Sequence, residues 1–107
     1  MVDKREVKES PFDQGADEQI AYVITVPTSW GTASFTSISC KLYEDPDDAN
    51  ADVSSTKLAD SASATGQVIT TQTVKSLTAG KKYRLEVKWT TSEGNIVEAY
   101  AIIYAQR

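Results

Sequence analysis

The 107-residue chain contains no histidine and a single cysteine, Cys40. Without histidine, Ser-His-Asp and Cys-His catalytic machinery is excluded, and so is any histidine-ligated zinc site. One cysteine permits neither an intrachain disulfide nor an all-cysteine metal site. Long apolar runs are missing too: nothing approaches the ~20 consecutive apolar residues that a membrane-spanning helix needs. The segment Met1–Ser10 is densely charged and has no apolar stretch, so no secretory leader is expected. Positive charge is also scarce. Lys and Arg number 11 against 15 Asp and Glu, a formal net charge of −4. A nucleic-acid surface needs clustered cations, as does an anionic membrane surface; neither is an expected partner. Helical signals are absent as well, since no segment sustains an apolar period of 3.6 behind a capping pattern.

What remains is alternation. Ile20, Tyr22, Ile24 and Val26 share one face of a strand closed by Pro27, which cannot donate to a ladder. Thr28–Thr32 is a turn containing Trp30. In Ser34–Glu44, Ile38, Cys40 and Leu42 fall on one face and Phe35, Ser37, Ser39, Lys41 and Tyr43 on the other. Glu44–Asp48 is an acidic turn around Pro46, 52–59 a short strand around Val53 and Leu58, and Asp60–Gly66 a polar loop. In Gln67–Val74, Val68 and Val74 are in phase with Ile69 opposite. Ser92–Asn95 carries a hairpin signal between Tyr83–Thr91 and a last strand over 96–106. Residues 1–17 are a polar arm, holding at most a short strand near Glu6–Ser10 that Pro11 ends; residues 18–107 form one domain. About seven strands at roughly 8–12-residue spacing point to an all-β sandwich.

The densest information lies in Leu77-Thr-Ala-Gly80-Lys-Lys-Tyr83-Arg-Leu-Glu-Val87. Gly80 permits a tight reversal, after which Tyr83, Leu85, Val87 and Trp89 alternate onto one face. This run resembles the corner between the fifth and sixth strands of fibronectin type III domains. It implies an immunoglobulin-like sandwich of about seven antiparallel strands, with the tyrosine hydrogen-bonding back across the corner. The tryptophan usual on the second strand of that family is replaced here by Tyr22 and Ile24. A looser resemblance spans about residues 18–105 and concerns the order of features: the Trp30-Gly31 turn, Asp52-Val-Ser-Ser55, Gly66-Gln-Val-Ile-Thr70, the Leu77–Tyr83 corner and an aromatic last strand. That order is similar to small phage and prophage virion proteins. It implies a head–tail or tail-region component made in a bacterial cytoplasm, not a catalyst.

Candidate sites are few. Glu44, Asp45, Asp47, Asp48, Asn50 and Asp52 gather oxygen ligands, but a calcium loop of the EF-hand kind needs glycine at Val53 and glutamate at Ala59. A solvated acidic turn is expected, with no metal and no cofactor. Cys40 reads as a small buried hydrophobe. Glu86 and Glu98 read as cross-strand partners of Lys88 or Arg84, and the many threonines as strand formers. Trp30 either stacks on a sugar or partner or folds back over the core end. In the last strand alternation fails: Tyr100, Ile102 and Tyr104 stand opposite Ala99, Ala101 and Ile103. Either the arm or a neighbouring subunit covers the outer row. The expected core is Ile20, Tyr22, Ile24, Ile38, Cys40, Leu42, Val68, Val74, Leu77, Tyr83, Leu85, Val87 and Trp89, with one face of 96–105. The expected function is non-enzymatic: self-assembly or contact with neighbouring virion proteins through Tyr100, Ile102, Tyr104 and Trp30. The alternative is a carbohydrate- or protein-binding module of an adhesin or secreted multi-domain protein.

Overall fold

Sequence alternation becomes two β-sheets in the computed structural model, which describes residues 5–7, 10–27, 34–45 and 51–106. Among the described residues, ten strands and one helical turn follow in order: β1 (Arg5–Glu6), β2 (Phe12–Gly15), β3 (Ile20–Thr25), β4 (Phe35–Glu44), β5 (Ala51–Asp52), α1 (Ser54–Lys57), β6 (Leu58–Ala59), β7 (Ser63–Thr65), β8 (Val68–Val74), β9 (Lys82–Thr91) and β10 (Ile96–Gln106). The larger sheet runs β1-β10-β9-β4-β5, with β2 also on β10; the smaller runs β3-β8-β6, with β7 also on β8. The architecture is all-β. Several strands have only two or three residues, which is why more are present than the seven expected from pattern. Not all pairing is antiparallel: β1 and β2 run parallel to β10.

The inner faces of both sheets meet in one apolar core. Tyr83, Leu85, Val87 and Trp89 project inward from β9, and Val97, Ala99, Ala101, Ile103 and Ala105 from β10. The small residues of β10 leave space that the larger side chains of β9 and the opposite sheet fill. Phe35 tilts against Trp89 with ring centroids 5.7 Å apart.

Two bulges change which residues belong to that core. In β4 the register slips between Thr36 and Ser39, and Ser37 takes a φ of 52°. One extra residue reverses the phase, so Phe35 is buried beside Cys40 and Leu42 rather than facing away, while Ile38 is only half-buried. In β8 the ladder against β3 slips between Ala21 and Val23. The Thr71 hydroxyl accepts the Tyr22 N–H at 3.0 Å and donates to the Gln72 carbonyl at 2.9 Å. Ile69 and Thr71 therefore point inward with Val74, and Val68 does not.

Two loop expectations are corrected. The 52–59 stretch is not a strand: α1 interrupts it, because Asp52 Oδ1 accepts from both the Ser54 N–H at 3.0 Å and the Ser54 hydroxyl at 2.6 Å. Such local side-chain bonds compete with strand pairing. The 60–66 loop contains β7, which forms a hairpin with β8. At the 77–83 corner, Gly80 adopts a φ of 86°, open to glycine and strained for other residues. The Tyr83 hydroxyl accepts the Thr78 N–H at 2.8 Å and donates to Glu44 Oε2 at 2.7 Å, while burial raises its pKa.

The N-terminal segment lies along the edge of β10 opposite β9. Its pairing resumes at Phe12 immediately after Pro11. Gln14 anchors it from inside: wholly buried, its amide donates to the Val74 carbonyl at 2.8 Å and the Glu18 carbonyl at 3.0 Å. Its side-chain oxygen accepts the Tyr22 hydroxyl at 2.6 Å. Phe12 stacks on Tyr22 with centroids 4.1 Å apart. One side chain thus ties the edge of the larger sheet to the smaller one.

Candidate interaction face

The outer face of the larger sheet is built by the same alternation that fills the core. Because β10 is straight over its whole pairing with β9, every even-numbered residue from Ile96 to Gln106 points outward. The register then creates rows across β4, β9 and β10: Tyr43–Arg84–Ile102, Lys41–Glu86–Tyr100 and Ser39–Lys88–Glu98. Lys82 stands beside Tyr104, and Thr36 and Thr90 lead to Ile96.

Tyr100, Ile102 and Tyr104 therefore form one column. Tyr104 is 41% exposed and Ile96, at the far end, 67%; Tyr100 and Ile102 are half-buried. The described residues of the arm do not fold over this column. It pairs at the side, with Glu6 opposite Tyr100 and Asp13 opposite Tyr104. The Ser10 hydroxyl accepts the Ile102 N–H at 2.9 Å and donates to Glu6 Oε2 at 2.7 Å. The backbone edge of β10 is thus occupied by the chain itself, leaving the side-chain face.

The centre of the face is held rigid by Arg84. Its guanidinium lies 5.5 Å from the centroid of the Tyr43 ring, and its Nε is 2.8 Å from Glu86 Oε2. This ion pair runs along β9 instead of across strands, and Glu86, 12% exposed, is less open than its phase suggested. Lys88 does stand directly opposite Glu98. Between these rows lies a shallow cavity of about 220 Å³, lined chiefly by Ser39, Lys41, Tyr43, Glu86, Lys88 and Glu98. Aromatic rings flanked by alternating charges, with an arginine already stacked, suit burial against another protein surface, where Tyr and Arg dominate binding energy.

The other candidates are dispersed. Trp30, Asp47, Asp48 and Asn50 lie outside the described residues. Of the acidic turn, Glu44 accepts from Tyr83, Asp45 pairs with Lys81 Nζ at 2.9 Å, and Asp52 holds Ser54. The bonds from Ser54 lower the Asp52 pKa, and the bond to Asp45 raises that of Lys81. Cys40 is buried, and its thiol pKa is pushed up by desolvation. The role of Arg84 was missed from sequence; the signal available was its place in β9 opposite Tyr43, visible only once the bulge at Ser37 is known.

Comparisons with protein-family models, with curated proteins and with solved structures find no match. The functional reading therefore rests on the chain's own geometry.

Proposed function

We propose that this protein is a non-enzymatic structural protein that assembles through the outer face of β4, β9 and β10. The observation that carries this reading is the column Tyr100–Ile102–Tyr104, separated from the exposed Ile96 by Glu98 and stiffened by the Arg84–Tyr43 stack. An outward strand face in water ordinarily alternates to polar residues; this one does not.

The fold within which that face sits is best described as immunoglobulin-like. Three features support the description: β3-β8-β6 against β4-β9-β10 follows the B-E-D and C-F-G strand orders, β5 extends the second sheet, and Tyr83 bonds back to the corner backbone. The parallel N-terminal strands on β10 depart from a fibronectin type III arrangement, for which the Leu77–Tyr83 motif remains the support. The order of sequence features favours a phage or prophage virion component of the head–tail or tail region, with neighbouring copies or virion proteins as partners. Such sandwiches serve many functions, so fold supports this only weakly beside the face itself.

Light scattering on the purified chain tests the reading. Multimers that disappear on replacing Tyr100 and Tyr104 by lysine are expected. Multimers indifferent to those replacements, or a strictly monomeric chain that binds oligosaccharides and loses them on Trp30→Ala, would overturn it. Capsid, portal or tail genes beside its own are the expected genomic setting.

A further inference from the structure

Two hollows open on the outer face of the larger sheet, on opposite sides of the tyrosine column. The one over β4 and β9 is lined in part by Lys41 and Lys88. Both lysines are exposed, and neither forms an ion pair among the described residues. Asp52 attracts Lys41 but is itself taken up by Ser54. The carboxylates of the same hollow are engaged: Glu86 is held by Arg84, and Glu98 is not free. The charge this hollow still offers is positive.

The second hollow, of about 470 Å³, lies on the arm side and is lined by Asp13, Gly15, Ala16, Asp17, Glu18 and Gln106. Asp13 and Gly15 stand beside Tyr104 and Gln106 in the register, so this hollow opens on the face that carries the tyrosines. Its three carboxylates are all exposed. Asp13 accepts from the Gln106 amide at 3.3 Å and Glu18 from the Gly15 N–H at 2.6 Å, neutral donors that leave the charge in place. Among the described residues Asp17 has no partner, and no cation pairs with any of the three. Like charges so close repel one another, and a cation brought against them relieves that repulsion.

The register relates the two hollows by position. Lys88 and Lys41 lie in the rows of Glu98 and Tyr100, on the β9 side of β10. Asp13 and Gly15 lie in the rows of Tyr104 and Gln106, on the other side. Ile102 stands midway along the strand direction, with β10 between the hollows in the other. A half-turn about an axis in the plane of the face, through Ile102, therefore exchanges them. We propose that the outer face binds a second copy of itself about this two-fold axis, the Asp13–Glu18 turn of each copy seated against Lys41 and Lys88 of the other. This rests on the reading that copies assemble through this face, and it names the surface that each copy meets. A second copy is the occupant because opposite charges stand on either side of one point, the self-complementarity that an isologous contact requires. Tyr100, Ile102 and Tyr104 then fill the centre of the contact, with the ion pairs at its rim.

Light scattering on the whole chain with reversed charges tests it. The native chain is expected to be a dimer. Lys41→Glu/Lys88→Glu and Asp13→Lys/Asp17→Lys each replace attraction by repulsion at both contacts. Each is expected to raise the dimer dissociation constant at least about tenfold, with the β circular-dichroism signal kept. An equimolar mixture of the two variants restores opposite charges at both contacts and is expected to dimerise as the native chain does. A dimer that either variant leaves intact, or a mixture that dimerises no better than its components, would overturn the two-fold pairing. Tyr100→Lys/Tyr104→Lys separates the two possible failures. Assembly that survives it overturns the reading of the face itself; assembly lost there but indifferent to the charge reversals overturns only this pairing. On the native chain, acetylation of Lys41 and Lys88 is expected to slow severalfold as the dimer forms, while that of Lys75, just past β8, stays constant. Acetylation of all three independent of concentration would overturn the proposal even if a variant failed to fold.

Discussion

Replacing Gln14 by leucine removes a buried amide while nearly conserving volume. Three hydrogen bonds go with it: those to the Val74 and Glu18 carbonyls and that from the Tyr22 hydroxyl. Glu18 is exposed, so water can take over its carbonyl. Val74 and Tyr22 are buried, and each is left with an orphaned group costing about 1–3 kcal/mol. Leucine recovers part of this by apolar burial, leaving a net loss of about 2–4 kcal/mol. In a domain of this size that lowers Tm by roughly 10–20 °C. Tyr22→Phe alone orphans Gln14 Oε1 and should cost about 1–2 kcal/mol. The double variant removes both ends of that bond, so its loss should fall short of the sum by about 1–2 kcal/mol. Urea unfolding of the four proteins measures all of this. A Gln14→Leu loss below about 0.5 kcal/mol, or strict additivity, would refute the view that this side chain fastens β2 to the smaller sheet.

Other outcomes follow from the same chemistry. Tyr83→Phe takes the acceptor from the Thr78 N–H and the donor from Glu44, and should destabilise by about 1–2 kcal/mol in urea without altering oligomeric state. Burial, reinforced by Glu18 and Asp13, pushes the Tyr22 pKa up to about 12 from 10.0. Its neutral form is favoured in the fold, so its contribution is complete below pH 10 and fades as pH climbs toward 12, by about 2–3 kcal/mol in total. Unfolding free energies against pH should show that slope in the native sequence, and Tyr22→Phe should reduce it, leaving the share that belongs to Tyr83, whose pKa is also raised by burial. Cys40, buried with a raised pKa, should react with a thiol reagent at least about a hundredfold faster in denaturant than in the native state; equal rates would place it at the surface.

The uninterrupted strands were legible because alternation alone determines their faces: β9 and β10 bury the odd-numbered residues that the pattern assigns inward. The corner was legible too, since Gly80 and Tyr83 carry its conformation and its hydrogen bond locally. Phe35 and Ile69 were misassigned because a bulge shifts phase by one residue, and neither Ser37 nor Thr71 differs in type from an ordinary strand residue. Gln14 hid in a polar segment, its partners at Val74 and Tyr22 being apolar or aromatic residues that give no hint of a buried amide. The helical turn at 54–57 was overlooked although Asp52 and Ser54, good local capping residues, stood in plain view. The column Tyr100–Ile102–Tyr104 was visible as failed alternation. Its accompaniment by Arg84 and Tyr43 depends on which strands become neighbours, a long-range fact that periodicity does not carry.

Side-chain labelling of the tyrosines as a function of protein concentration tests the central claim most directly. Tyr104 is exposed and Tyr100 half-exposed in the isolated chain, while Tyr22 and Tyr83 are buried. If the outer face of β4, β9 and β10 is where copies assemble, labelling of Tyr100 and Tyr104 falls severalfold as concentration rises, and Tyr22 and Tyr83 stay protected throughout. Equal labelling of Tyr100 and Tyr104 at every concentration, in a sample that light scattering shows to be multimeric, would contradict it.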